Sequence, residues 1–182
     1  MPRSIFVRPM HPKTEIRADR ASVARTLEAG WVGQIKIHGH RAQIHIPSDP
    51  LEAPIVYNRQ GAPHRQLLSE PMITELRRLF APASGWNVID AEWLKPEGKL
   101  FVFDFIKRDG ALLNRLSYPE RWALLPRAYI SPSISTLPML TDVAKCMAVL
   151  ESPPAHCEGL VFKSGQTKGF EDTSIIRCRI PT

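Results

Sequence analysis

The stretch Trp31-Val-Gly-Gln-Ile-Lys-Ile-His-Gly-His-Arg-Ala-Gln-Ile-His-Ile46 decides the fold class. Trp31, Gly33, Ile35 and Ile37 alternate with Gln34, Lys36 and His38, a period of two that sets successive side chains on opposite faces of a half-buried strand. Gly39-His40 reads as a tight turn, after which Arg41, Gln43 and His45 alternate with Ala42, Ile44 and Ile46. The expectation is a β-hairpin whose tip is flanked by Lys36 and Arg41.

Further strands are expected at Ile55 to Asn58, Val88 to Leu94, Leu100 to Ile106, Gly159 to Lys163 and Ile175 to Ile180. Phe101, Phe103 and Phe105 should share one face, as should Val161 with Lys163 and Arg177 with Arg179. Helical spacing of Met72, Ile73, Leu76, Leu79 and Phe80 predicts a helix over Ser69 to Phe80, and a similar pattern predicts one over Thr141 to Leu150, with Met72 and Met147 in the core. Ser117-Tyr-Pro-Glu120 is a capping box with proline in the first turn, starting a third helix. Strands and helices do not alternate strictly, which implies an α+β fold of antiparallel sheets flanked by helices, as one domain over 1–182.

Lys and Arg number 24 against 18 Asp and Glu, a net charge of +6 that favours a polyanionic partner such as nucleic acid. The three cysteines, Cys146, Cys157 and Cys178, lack the paired spacing of a zinc site and read as reduced, half-buried thiols. His11, His40, His45 and His64 show no metal-ligand spacing and read as surface or turn residues. The start, Met1 to Arg8, has no signal-peptide run, and no apolar run approaches the roughly 18 residues of a membrane span, so a cytoplasmic protein is expected.

In chain order come Lys36-Ile-His-Gly39 with Arg41, Arg59 after a strand, Glu92 in Asp90-Ala-Glu-Trp93, Phe103 in Val102-Phe-Asp104, Glu158-Gly-Leu-Val-Phe-Lys163, and Arg177-Cys-Arg179. Singly, each is an ordinary strand or strand-end residue. The ordered set resembles the covalent nucleotidyltransferase superfamily of ATP-dependent DNA ligases, RNA ligases and capping enzymes, whose nucleophile motif is K-x-D-G. Similarity to the DNA ligases extends to Arg8-Pro-Met10, to Lys36-Ile-His-Gly-His-Arg-Ala-Gln43 against "KYDGERAQ", and to Leu116-Ser-Tyr-Pro-Glu-Arg-Trp-Ala-Leu-Leu125, so it spans about Arg8 to Arg179.

The resemblance implies the adenylylation core of a ligase that joins 5′-phosphate to 3′-hydroxyl ends. Lys36 would attack the α-phosphorus of ATP and form lysyl-AMP, a step that needs an unprotonated amine. Lys163, Arg177 and Arg179 would hold phosphate oxygens and supply a field favouring that neutral amine. The implied nucleotide site comprises Gln34, Ile35, Lys36, Arg41, Arg59, Glu92, Phe103, Val161 and Lys163, with Phe103 and Val161 sandwiching adenine. Glu92 and Glu158 are the implied ligands of Mg²⁺, for which Mn²⁺ can substitute.

Three departures from the family pattern qualify these expectations. His38 replaces the usual aspartate, as in a branch of RNA ligases with K-x-H-G, and turns part of the reading toward RNA ends or RNA-containing nicks, so the expected partner is nicked DNA or an RNA-containing duplex. Gln34 stands where DNA ligases carry a glutamate that accepts from the adenine amino group; its carbonyl can accept the same bond. Arg177 and Arg179 replace two lysines, a change from point charge to planar fork. The family's OB-fold domain of about a hundred residues is expected to be absent, which implies either a fragment or a bare core that works with a partner or on ends already adenylylated. A GTP-using capping-type transferase and a degenerate core that binds without catalysis remain open alternatives.

Overall fold

The computed structural model describes residues 4–181; Met1 to Arg3 of the stretch read for a signal peptide, and the outermost positions of the expected 1–182 domain, lie outside it. In chain order the elements begin with β1 (Thr14–Glu15), α1 (Arg20–Glu28), β2 (Trp31–Ile37), β3 (His40–Pro47), β4 (Ile55–Tyr57) and α2 (Glu70–Phe80). They continue with β5 (Trp86–Leu94), β6 (Lys99–Arg108), β7 (Ala111–Leu112), α3 (Tyr118–Trp122), β8 (Ile134–Thr136), α4 (Val143–Glu151), β9 (Cys157–Ser164) and β10 (Ile175–Arg179). One sheet has the order β1-β10-β9-β2, and the other β4-β3-β5-β6-β7 with β8 beside β6. Pairing is antiparallel except for β1 with β10 and β6 with β8, so the α+β expectation holds. Among the described residues no helix is long and apolar enough to cross a membrane.

The hairpin expected at Gly39-His40 does not form. β2 is an edge strand of the first sheet and pairs with β9, whereas both edges of β3 are taken by β4 and β5 in the second. His38 and Gly39 instead carry the chain from one sheet to the other. A Cβ on Gly39 would lie 2.9 Å from Leu94 Cδ2 and 3.0 Å from the Trp93 carbonyl oxygen, so glycine here serves a close crossing rather than a turn.

Each sheet has its own helical cover. α1 and α4 lie over Leu160, Phe162 and Cys178 of the first sheet, contributing Val23, Cys146, Met147 and Leu150. α1 is absent from the sequence-based reading because only Val23 and Thr26 are buried along it; its start is fixed by the Asp19 carboxylate accepting from Ser22 N–H at 2.7 Å. α2 sets Met72, Leu76 and Phe80 against Ile44, Ile46 and Ile89 of the second sheet. In α3 the Ser117 backbone N–H donates to Glu120 at 2.6 Å, one half of the expected capping box. Cys146 and Cys178 are fully buried in the first core, and only Cys157 is half-buried as expected.

Two further expectations fail for identifiable reasons. Phe105 packs in the second sheet's core with Val102 and Leu100, away from Phe101 and Phe103. Asp90 opposes Asp104 while Ala91 opposes Val102, so Phe103 is the extra residue of a bulge, and a bulge breaks the alternation on which the shared face relied. His45, expected at the surface, is fully buried because the N-terminal segment covers that side of β3. Val7 N–H donates to Gln43 Oε1 at 2.9 Å, Gln43 Nε2 donates to the Val7 carbonyl at 2.7 Å, and burial depresses the His45 pKa to about 3.

α3 is tied to β6 by a buried ion pair. Arg121 donates through Nε and Nη2 to the Asp104 carboxylate at 2.9 and 3.0 Å, and through Nη1 to the Leu116 carbonyl at 2.9 Å. Both side chains are nearly sealed from solvent. Arg121→Met leaves a buried carboxylate without its cation, and urea unfolding should register a loss of about 3–5 kcal/mol; a loss under about 1 kcal/mol would mean that the pair is dispensable.

Candidate active site

Between the inner faces of the two sheets lies a cavity of about 460 Å³. Every site residue expected from sequence lines it: Gln34, Ile35 and Lys36 from β2, Arg41 from β3, Arg59 after β4, Glu92 from β5, Phe103 from β6, Glu158, Val161 and Lys163 from β9, and Arg177 and Arg179 from β10. Its lining carries six Lys and Arg against three Asp and Glu, so the cavity attracts anions.

Lys36 sits near the end of β2, and its partner strand is irregular at that point. Lys36 opposes Gly159 while Ile37 opposes Cys157, leaving Glu158 unpaired in a bulge. The bulge turns the Glu158 carboxylate into contact with Lys36 Nζ through one oxygen and His38 Nδ1 through the other. Burial pushes the Glu158 carboxyl up, but the hydrogen bonds from Lys36 and His38 outweigh it and hold the pKa below the ordinary value. Gly159 makes the bulge possible: its φ is 135°, and a Cβ there would lie 2.1 Å from the Cys178 carbonyl oxygen.

Across the cavity, Arg41 donates through Nε and Nη2 to Asp90 at 2.6 and 2.5 Å and lies 4.8 Å from the Phe103 ring centroid. The bidentate bond fixes the guanidinium beside the Phe103 ring. Lys163 is buried, donates to Gln34 Oε1 at 2.9 Å, and stands 4.0 Å from the Tyr118 ring centroid and 4.6 Å from that of Phe103. Because an ammonium only donates, this bond fixes the Gln34 amide with its oxygen toward Lys163. Burial is the main cause that brings the Lys163 pKa down to about 7, opposed by the nearby Asp104 carboxylate.

At the cavity mouth, Glu15 bonds both C-terminal arginines. Arg177 Nε donates to it at 2.8 Å, and Arg179 donates through Nε and Nη2 at 2.9 Å each. Asp172 holds the N-terminal segment beside the cavity, accepting from Arg8 Nη2 at 2.9 Å and from the His11 backbone N–H at 3.0 Å. His11 also lines the cavity, its pKa lowered by burial and then by Arg59 and Arg41.

Among the described residues no three His, Cys, Asp or Glu side chains converge on a protein-only metal site. Burial raises the Glu92 pKa to about 7 against the pull of Arg41 and Lys36, so desolvation outweighs the cations that face this carboxylate. Two carboxylates, Glu92 and Glu158, fit a hard divalent ion that takes its remaining oxygens from phosphates and water.

Three solved structures share this architecture. A mycobacterial DNA ligase D complexed with ATP and MES is 19% identical, with a TM-score of 0.53 over 82% of this chain and 54% of that one. The ligase domain of LigD from M. tuberculosis is 18% identical, with a TM-score of 0.53 over 80% of this chain and 53% of that one. A putative ATP-dependent DNA ligase from Aquifex aeolicus is 18% identical, with a TM-score of 0.53 over 93% of this chain and 49% of that one. The fold is that of a ligase nucleotidyltransferase domain. The chain spans about half the length of these ligases. No family model matches the sequence, and neither does any curated protein.

Sequence reasoning missed Glu15, Asp90, Asp104, Tyr118 and Asp172 at or beside the site. Asp90 was within reach, since Asp90-Ala-Glu92 places two carboxylates on one face of a strand. Glu15 and Asp172 had no local signal, because their partners lie 162 and 164 residues away, respectively, in Arg177 and Arg8.

Lys163 generates a prediction with a definite sign. Its pKa falls from 10.5 unfolded to about 7 folded, so between these values the unfolded chain holds the extra proton and stability rises with pH. Lys163→Met should remove that rise and increase the urea midpoint at pH 7, since a buried charge is replaced by an apolar group of similar size. Parallel pH profiles for wild type and variant would show that Lys163 does not titrate in this window.

Proposed function

We propose that this chain is the nucleotidyltransferase core of an ATP-dependent polynucleotide ligase. The observation that carries the reading is the contact of Lys36 with Glu158 inside a cation-rich cavity on a ligase fold. Lys36 Nζ attacks the α-phosphorus of ATP, the bond to the β-phosphate oxygen breaks, pyrophosphate leaves, and a phosphoramidate remains. Glu158, already touching the amine, receives its proton. Phe103 and Val161, from opposite sheets, offer an aromatic face and an aliphatic cap to the base. Lys163, Arg177, Arg179 and Arg41 face the cavity as cations for phosphate oxygens.

Glu92 and Glu158 would hold Mg²⁺ or Mn²⁺, which when bound neutralises charge on the phosphoryl oxygens. AMP then passes to a 5′-phosphate, and a 3′-hydroxyl displaces it to seal the strand. A second groove, lined by His40, His64, Arg65 and Lys95, shares Gly39, Arg41 and Arg59 with the cavity. It supports a nucleic-acid end, a DNA nick or an RNA-containing duplex, delivered to the nucleotide. One contact favours a second reading: Gln34 Oε1 already accepts from Lys163, so the amide NH₂, which gives one hydrogen to the Leu137 carbonyl at 3.5 Å, has its other to offer a purine carbonyl, as GTP would provide.

The protein should form a covalent AMP adduct with Mg²⁺ and ATP, seen as an intact-mass increase that disappears in Lys36→Ala. An adduct with GTP alone would establish the second reading. No adduct with either nucleotide, and no sealing of a pre-adenylylated nick, would leave a binding module without catalysis.

A further inference from the structure

The two arginines at the cavity mouth carry an arrangement that lysines could not make. β1 pairs in parallel with β10 and sets Glu15 opposite Arg177, and Ile16 N–H donates to the Arg177 carbonyl at 3.0 Å, so the Glu15 backbone is pinned beside that strand. Arg177 and Arg179, two residues apart, extend from the same face and share the one carboxylate. The grip is on the inner edge of each fork. Arg177 uses Nε only, and Arg179 uses Nε and Nη2. Both Nη groups of Arg177 and Nη1 of Arg179 have no protein hydrogen-bond partner among the described residues. Both side chains line the main cavity, whereas Glu15 lines a shallower hollow next to it with Arg179.

We infer that Glu15 is a positioning residue, which orients Arg177 and Arg179 so that their remaining N–H groups receive the phosphate chain of the nucleotide. The inference rests on the nucleotidyltransferase reading for its ligand. A guanidinium has five N–H donors on three nitrogens, so it can be held by a carboxylate and still bind an oxyanion. An ammonium concentrates its charge on one nitrogen, and a carboxylate in the same place would draw it away from the phosphate. Glu15 and the two arginines therefore form one unit, and Glu15 stays ionised within it: hydrogen bonding from Arg179 above all brings its pKa down to about 2.

The unit predicts a reversal of sign. ATP and inorganic tripolyphosphate are titrated calorimetrically into Lys36→Ala protein carrying Glu15→Gln, Arg177→Lys with Arg179→Lys, or all three substitutions, and adduct formation is timed in the same set with Lys36 intact. Glu15→Gln should weaken both ligands about tenfold in the arginine background, the worth of one charge-assisted hydrogen bond, with Glu15→Asp in between. In the lysine background the same Glu15→Gln should strengthen binding, because the competing carboxylate is gone. Loss of folding cannot produce opposite signs in two backgrounds. An effect of the same sign in both, or tighter binding on Glu15→Gln with the arginines in place, would overturn the inference. If the reversal appears but Lys36 forms no adduct, positioning stands and the ligase reading fails. If adduct forms with no dependence on Glu15, the opposite holds, and failure of the parent to bind either ligand would overturn both.

Discussion

The backbone at Gly159 approaches the Cys178 carbonyl so closely that no side chain fits between them. This single approach organises the site. It lets β9 run between β2 and β10 while slipping by one residue, and the slip ejects Glu158 from the ladder toward Lys36 and His38. On one side of the irregularity Val161 and Lys163 stay in register with Gln34 and Val32; on the other the lysine meets its carboxylate. A regular strand would send the Glu158 side chain to the opposite face from Val161. The bulge at Phe103 does comparable work in the second sheet, since it lets both Phe103 and Asp104 line the cavity while Val102 and Phe105 remain in the core.

Charge in the interior is arranged unequally. Arg41 has Asp90 and Arg121 has Asp104, each pair joined by two hydrogen bonds, so both carboxylates are bonded to a guanidinium and act on Lys163 only through their field. Lys163 has only an amide oxygen and two aromatic faces. Desolvation without a bonded counter-charge is what depresses its pKa, and a phosphate or a base acceptor would supply the missing partner. Lys163 is thus held at a cost to stability, an arrangement common at binding sites.

Elements with a strong local signature were legible in the sequence. α2 declared itself by apolar spacing, α3 by its capping residues, and β2, β5, β9 and β10 by composition and alternation. The candidate site was legible as a set through the resemblance of its motifs, in chain order, to a family pattern; alternation placed pairs such as Arg177 with Arg179 on one face, whereas Glu158 and Phe103 reach the cavity through bulges. What escaped was governed by distant partners. α1 has too thin an apolar stripe to announce itself, and β1, β7 and β8 exist only as additions to sheets formed by other strands. Gly39 looked like a hairpin turn because a glycine needed for a close crossing and one needed for a turn read alike. Phe105 was misplaced because a bulge leaves the composition of its strand unchanged, and the burial of His45 depends on a segment about 38 residues earlier meeting β3.

The route between the sheets has a mechanical consequence. His38 and Gly39 span the gap beside Lys36, and residues 137–139 span it again next to the pair of hydrogen bonds between Gly33 and Leu140. The separation of the two sheets is therefore set by short lengths of main chain, much as a window frame sets its opening whatever glass it holds. Side chains facing the gap can be exchanged without altering its width. A lining with Gln34, Arg177 and Arg179 can thus be carried by a frame that stays recognisable at 19% identity or below.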